Sequence, residues 1–100
     1  MAADLTEKTE RYERMLADAL SAAEIAVPRG TPLADAADDC LEMASSYLDD
    51  GRHFRAEDDL VNALASFSYG YGWLDAGVRV GLFAVPDGAE HLFTSTVDDT

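Results

Sequence analysis

Cysteine, lysine and tryptophan each occur once in this chain of 100 residues, and proline three times. The lone Cys40 rules out an internal disulfide framework, and its place in an apolar repeat predicts an inert, buried thiol in a reducing compartment. Basic residues number seven against twenty carboxylates. No basic cluster is available to attract nucleic-acid phosphates or an anionic membrane, so neither is expected as a partner. Long apolar runs are also missing. The longest uncharged stretch, Leu60 to Leu74, is shorter than a membrane span and carries Asn62, Gly70 and Gly72. The opening Met-Ala-Ala-Asp shows no basic region followed by an apolar run, so no signal peptide is expected and the predicted location is cytoplasmic.

What is present in excess is negative charge, with a formal net value of -13. Six arginines, one lysine, many alanines and no excess of bulky apolar residues resemble the composition of proteins from salt-loving archaea, whose acidic surfaces stay hydrated when molar salt screens them. A halophilic protein is the expectation. One hundred residues suffice for one domain with a modest core.

Periodicity predicts an all-α fold: an up-down-up three-helix bundle over residues 1–85, with helices at about 4–27, 32–55 and 59–83, and a flexible acidic tail over 86–100. Asp4-Leu-Thr-Glu7 has the residue types of a capping box, and Leu5, Tyr12, Leu16, Ala19, Ala23 and Ala26 follow on one face. Glu7 with Arg11 and Glu10 with Arg14 are spaced as exposed i,i+4 pairs. Pro28-Arg-Gly-Thr-Pro32 is a turn in which Thr31 caps the second helix and Pro32 occupies its first position. That helix carries Leu33, Cys40, Tyr47 and Phe54 at intervals of seven, with Ala37, Ala44 and Gly51 on the adjacent seam. The repeat runs through Gly51, which predicts an end near Arg55 or Ala56. A stop at Gly51 as a C-terminal cap is the alternative. Asp58 or Asp59 caps the third helix. In the tail, Leu92-Phe93 is the one apolar group able to fold back.

The third helix is apolar on two sides. Leu60, Leu64, Phe67, Tyr71, Leu74 and Val78 form the expected core stripe, and Tyr69, Trp73, Ala76, Val80 and Phe83 repeat the same rhythm roughly opposite. Such a helix is either enclosed within the monomer or presents its second face to an interface. Gly70, Gly72, Gly77 and Gly81 would together cost roughly 3–4 kcal/mol relative to alanine. Ala63, Gly70 and Gly77 lie seven apart, which predicts a close approach by a neighbouring element.

Leu41-Glu-Met-Ala-Ser-Ser-Tyr47, Phe54, Ala63 through Tyr69 and, above all, Gly72-Trp-Leu-Asp-Ala-Gly-Val-Arg-Val-Gly-Leu-Phe83 resemble the archaeal family catalogued as domain of unknown function 357. The resemblance spans Leu5 to Phe83 and implies a small helical bundle with no established activity. Two departures stand out: Gly51 where the family pattern has alanine, and Glu57-Asp58-Asp59 where it has a Gly-Asp turn.

No residue set reaches a catalytic signature, and no cofactor is expected. Ser66 and Ser68 have no base at a readable spacing, and no glycine-rich phosphate loop follows a strand. Asp49, His53 and Glu57 share a helix face, a coincidence that twenty acids make commonplace, so no metal site is predicted. The expected function is association with another protein, most simply a second copy, through helix three, with Tyr69, Trp73, Asp75, Arg79, Val80 and Phe83 as candidate residues. The alternative is a small molecule held between helices near Trp73, Asp75 and Arg79, the last as a permanently charged anion contact.

Overall fold

The computed structural model describes residues 4–93. Asp4 caps the first helix by accepting a hydrogen bond from the Glu7 amide at 3.2 Å, and α1 runs over Leu5–Ala22. Thr31 caps the second in the same way through the Ala34 amide, while its own hydroxyl donates to the Pro28 carbonyl at 2.7 Å and so closes the intervening turn. Helix α2 spans Pro32–Ala56 without a break at Gly51, and α3 spans Leu60–Arg79 behind an Asp59 cap. The all-α bundle follows: α3 packs against both α2 and α1, and α1 and α2 meet each other least. No helix among the described residues is long and apolar enough to cross a membrane.

The turn between α2 and α3 is a compact helix stop. The Asp59 amide reaches back to the Phe54 carbonyl and the Asp58 amide to the Arg55 carbonyl, the paired bonds of a Schellman motif. That geometry needs a left-handed residue, and Asp58 supplies it at φ 62°. Glycine adopts this conformation without the Cβ penalty. Asp58→Gly should therefore stabilise the fold by about 0.5–1 kcal/mol, read as a raised urea midpoint at unchanged slope.

Two helices are shorter than their periodicity predicts. Helix α3 stops at Arg79 rather than near Phe83 because Gly81, at φ 89°, turns the chain left-handed. The Leu82 amide then bonds to the Gly77 carbonyl and the Gly81 amide to that of Val78, a second Schellman motif. Helix α1 stops at Ala22 rather than Val27 because the chain turns extended at Ala23. Two short strands result, β1 (Glu24–Ile25) and β2 (Phe83–Ala84), which pair antiparallel with Ile25 opposite Phe83. The Ala26 amide extends the ladder to the Leu82 carbonyl at 2.8 Å.

Beyond β2 the chain folds back instead of forming the expected free tail from residue 86. A 3-10 turn at Glu90–Leu92 delivers Phe93 into full burial, and the Tyr71 hydroxyl donates to the Leu92 carbonyl at 2.6 Å. The apolar pair Leu92-Phe93 pulls this segment in. Residues 94–100 of the expected tail lie outside the described residues.

The core joins Leu16 and Ala19 of α1, Ala37, Ala44 and Leu48 of α2, and Ala63, Phe67 and Leu74 of α3, closed at one end by Leu82, Phe83 and Phe93. Small residues on α2 let α3 approach closely. Gly51 lies directly under the Phe67 ring, and a Cβ at Gly70 would stand 2.7 Å from a Leu16 methyl and 3.2 Å from the Ala44 carbonyl oxygen. Gly77 gives the same room to the Phe83 ring, so the predicted reason for these glycines holds. Gly72 faces open space, and nothing in the structure explains it. On α2 the seam of Ala34, Ala37, Ala44, Leu48 and Gly51 takes the core, which leaves Cys40, Tyr47 and Phe54 half-buried at its edge and Leu33 exposed.

Candidate functional site

Because the core of α3 is divided between α1 and α2, the second apolar stripe is left largely exposed at the edge of α2. Tyr69 is 66% exposed, Trp73 41% and Val80 71%. With 3.6 residues per turn, Val80 and Tyr69 lie only about 20° and 40° around the helix from Trp73. Ala76 is exposed on the same side. Phe83 does not belong to this stripe. It is 3% exposed in β2, because the chain leaves the helix at Gly81 and turns the ring inward over Gly77.

The charged candidates, Asp75 and Arg79, are placed elsewhere. Arg79, exposed, lies about 120° around α3 from Trp73, and Asp75, half-buried, about 160°. One ligand between helices therefore does not meet Trp73, Asp75 and Arg79 together. The cleft beside Trp73 is instead completed by α2: Ala36, Asp39, Cys40, Glu42 and Met43 line an open volume of about 440 Å³ with the indole at its edge. Tyr47 extends this surface, its ring centroid 5.8 Å from that of Tyr69. The Cys40 thiol at the cleft is held above its ordinary pKa, first by partial burial and then by the neighbouring Asp39 charge. It is half-buried rather than buried, and protonated at neutral pH.

A polar cluster that the sequence did not announce joins α1 to α2. Glu13 is only 15% exposed and accepts from Arg52 Nε at 2.7 Å and from Arg55 Nη1. Arg55 Nη2 donates to Glu10 at 3.3 Å. Glu10 has thus turned away from Arg14, its expected i,i+4 partner. Nor does Glu7 pair with Arg11, whose guanidinium lies 5.9 Å from the Tyr12 ring centroid. Burial alone would raise the Glu13 pKa, but its hydrogen bonds to Arg52 and Arg55 and their charges outweigh burial and lower it. A depressed carboxyl contributes stability above its unfolded pKa and loses it as pH falls through the folded one. The stabilisation from the cluster is therefore fully present above the ordinary glutamate pKa and is lost as pH falls from there through the lowered value of Glu13. The i,i+3 spacings Glu10/Glu13 and Arg52/Arg55 were the only sequence signal for it.

His53 and Glu57 approach to 3.4 Å, both exposed, without Asp49 completing a ligand set. No group of three or more potential metal ligands occurs among the described residues.

The helices that carry these features, from the second turn of α1 to the Phe83 ring over Gly77, coincide with the reach of a known family model. No curated protein and no solved structure matches the chain. The family described as protein of unknown function (DUF357) matches residues 11–83, and the chain belongs to it.

Proposed function

We propose that this protein works by association, not by catalysis, and that a second copy of the chain seats on the Tyr69–Trp73–Val80 face of α3. The supporting observation is an uncharged, exposed aromatic strip directly beside an apolar cleft in a chain of net charge -13. Copies of so acidic a chain repel one another over most of their surface, and less at the Tyr69–Trp73–Val80 strip, which itself carries no carboxylate, although Asp39 and Glu42 stand at the rim of the cleft beside it. A face that carries both a projecting aromatic and a cleft is also self-complementary, as a two-fold interface requires: Trp73 or Tyr69 of each copy enters the Ala36–Cys40–Met43 cleft of the other. The acidic excess and the protonated lone thiol suit a salt-rich, reducing cytoplasm.

A second reading has one observation in its favour, the cleft itself, whose volume of about 440 Å³ is in the range of small-molecule sites. Its ligand would contact Trp73 and α2, without Arg79.

Trp73→Ala separates the readings. Truncating a central aromatic anchor costs on the order of 2 kcal/mol or more of association, roughly a 30-fold weaker dissociation constant, with helical content retained. Light-scattering mass and circular dichroism on the same variant in molar salt provide the readout. A wild-type protein that stays monomeric at high concentration, with Trp73 fluorescence freely quenched, would refute self-association and leave the small-molecule reading.

A further inference from the structure

We propose that the open cleft between α1 and α2 binds a small oxyanion, a phosphate or a carboxylate group, through Arg14, Arg52 and Arg55. The chain has only seven basic residues, and three of its six arginines converge on this one cleft of about 400 Å³. They are not equally committed. Arg55 is engaged at both terminal nitrogens by Glu13 and Glu10. Arg52 reaches Glu13 through Nε alone, and its terminal nitrogens have no protein partner among the described residues. Arg14 makes no ion pair among the described residues.

A guanidinium offers five N–H donors in a rigid planar fork that matches an oxyanion. Glu13, itself largely buried, fixes Arg52 and Arg55 in position, so less side-chain freedom is lost on binding than at mobile surface arginines. The carboxylates of the cleft do not cancel this. Glu10 and Glu13 are already bonded to arginine, which leaves Asp18 as the third lining acid against Arg14 and the spare donors of Arg52. With three arginines and three acids the site is near neutral in a chain of net charge -13, so it is a place where an anion meets little of the general repulsion. The site is on the α1–α2 side of the bundle and does not depend on association through α3.

The test is a titration of the full chain with sodium pyrophosphate and, separately, with sodium succinate, at fixed ionic strength, following the arginine Nε–Hε resonances by NMR. Saturable shifts at Arg14 and Arg52 are expected. Saturation by pyrophosphate alone identifies a phosphate ligand, and by succinate alone a carboxylate. Arg14→Gln removes no observed ion pair, so it should fold as wild type and bind at least tenfold more weakly. Arg14→Lys keeps the charge but loses the fork and should fall between. Trp73→Ala should bind as wild type. Linear, non-saturating shifts with both anions, or an Arg14→Gln variant that binds as tightly as wild type, would overturn the proposal.

Discussion

Phe67→Ala is expected to lower the stability of the bundle by about 3–5 kcal/mol. The ring is fully buried between α3 and α2 and rests on Gly51, where a Cβ would lie well inside van der Waals distance. For a domain of this size the total stability is about 5–15 kcal/mol, and the midpoint of thermal unfolding falls by about 4–8 °C per kcal/mol. The variant should thus melt at least 12 °C or so below wild type. Its interaction with Gly51 makes the argument specific. In the wild-type background Gly51→Ala pushes against the ring and should be destabilising by about 1–3 kcal/mol. With the ring gone, the same change should become favourable by up to about 1 kcal/mol, since alanine is the better helix former. A thermal double-mutant cycle measures the change of sign. If Gly51→Ala is favourable in both backgrounds, the close approach of Phe67 to α2 is wrong.

Lowering potassium chloride from molar to tens of millimolar should reduce the melting temperature by roughly 10–20 °C, or about 2–3 kcal/mol at the usual conversion. Twenty carboxylates face seven basic residues, and the described ion pairs are few: Glu13 with Arg52 and Arg55, Glu10 with Arg55, and His53 with Glu57. The excess of negative charge is self-repelling, and the screening length grows from about 3 Å in molar salt to about 30 Å in ten millimolar. Compaction then brings more like charge within reach. The Glu13 cluster works in the opposite direction, since attraction at a largely buried carboxylate strengthens slightly at low salt, but it is one site against an excess of thirteen charges. A melting temperature that stays constant across the range would show that the acidic surface is not a salt-dependent liability.

The parts of this fold that were legible in the sequence are those whose signals are local. Thr31-Pro32 and Asp59 cap their helices through amides three residues on, and the seven-residue repeat carried α2 correctly past Gly51 to Ala56. Gly51 itself is explained by the Phe67 ring, which occupies the place of a Cβ. The illegible parts depend on partners distant in the chain. Ala23-Glu-Ile-Ala26 continues a helical pattern, yet it becomes extended because its partner is Phe83–Ala84, some sixty residues away. Gly81 did carry a local signal, a glycine followed by a bulky Leu82 at the end of an apolar repeat, the composition of a Schellman stop. Counting it among the interior glycines extended α3 and placed Phe83 on the outer stripe. The candidate site was half legible for the same reason. Tyr69, Trp73 and Val80 follow from periodicity on one helix, but the α2 side of their cleft and the arginine cleft both depend on which helix faces which.

The pairing of β1 with β2 has a thermodynamic consequence. The segment from Ile25 to Phe83 forms a closed ring whose seam is two residue pairs and one additional hydrogen bond. Bringing the ends of a disordered ring of that length together costs on the order of 3–4 kcal/mol of chain entropy, while each backbone hydrogen bond returns about 1 kcal/mol net. The seam is therefore too weak to close the ring unaided. It forms because the packed helices already fix where the chain leaves α1 after Ala22 and α3 after Arg79, so the loop-closure entropy has been lost before the first strand bond is made. In the intact bundle the ladder then works against fraying, holding the last turn of α1 to the exit of α3 at two chain segments that would otherwise be the loosest ends of the core.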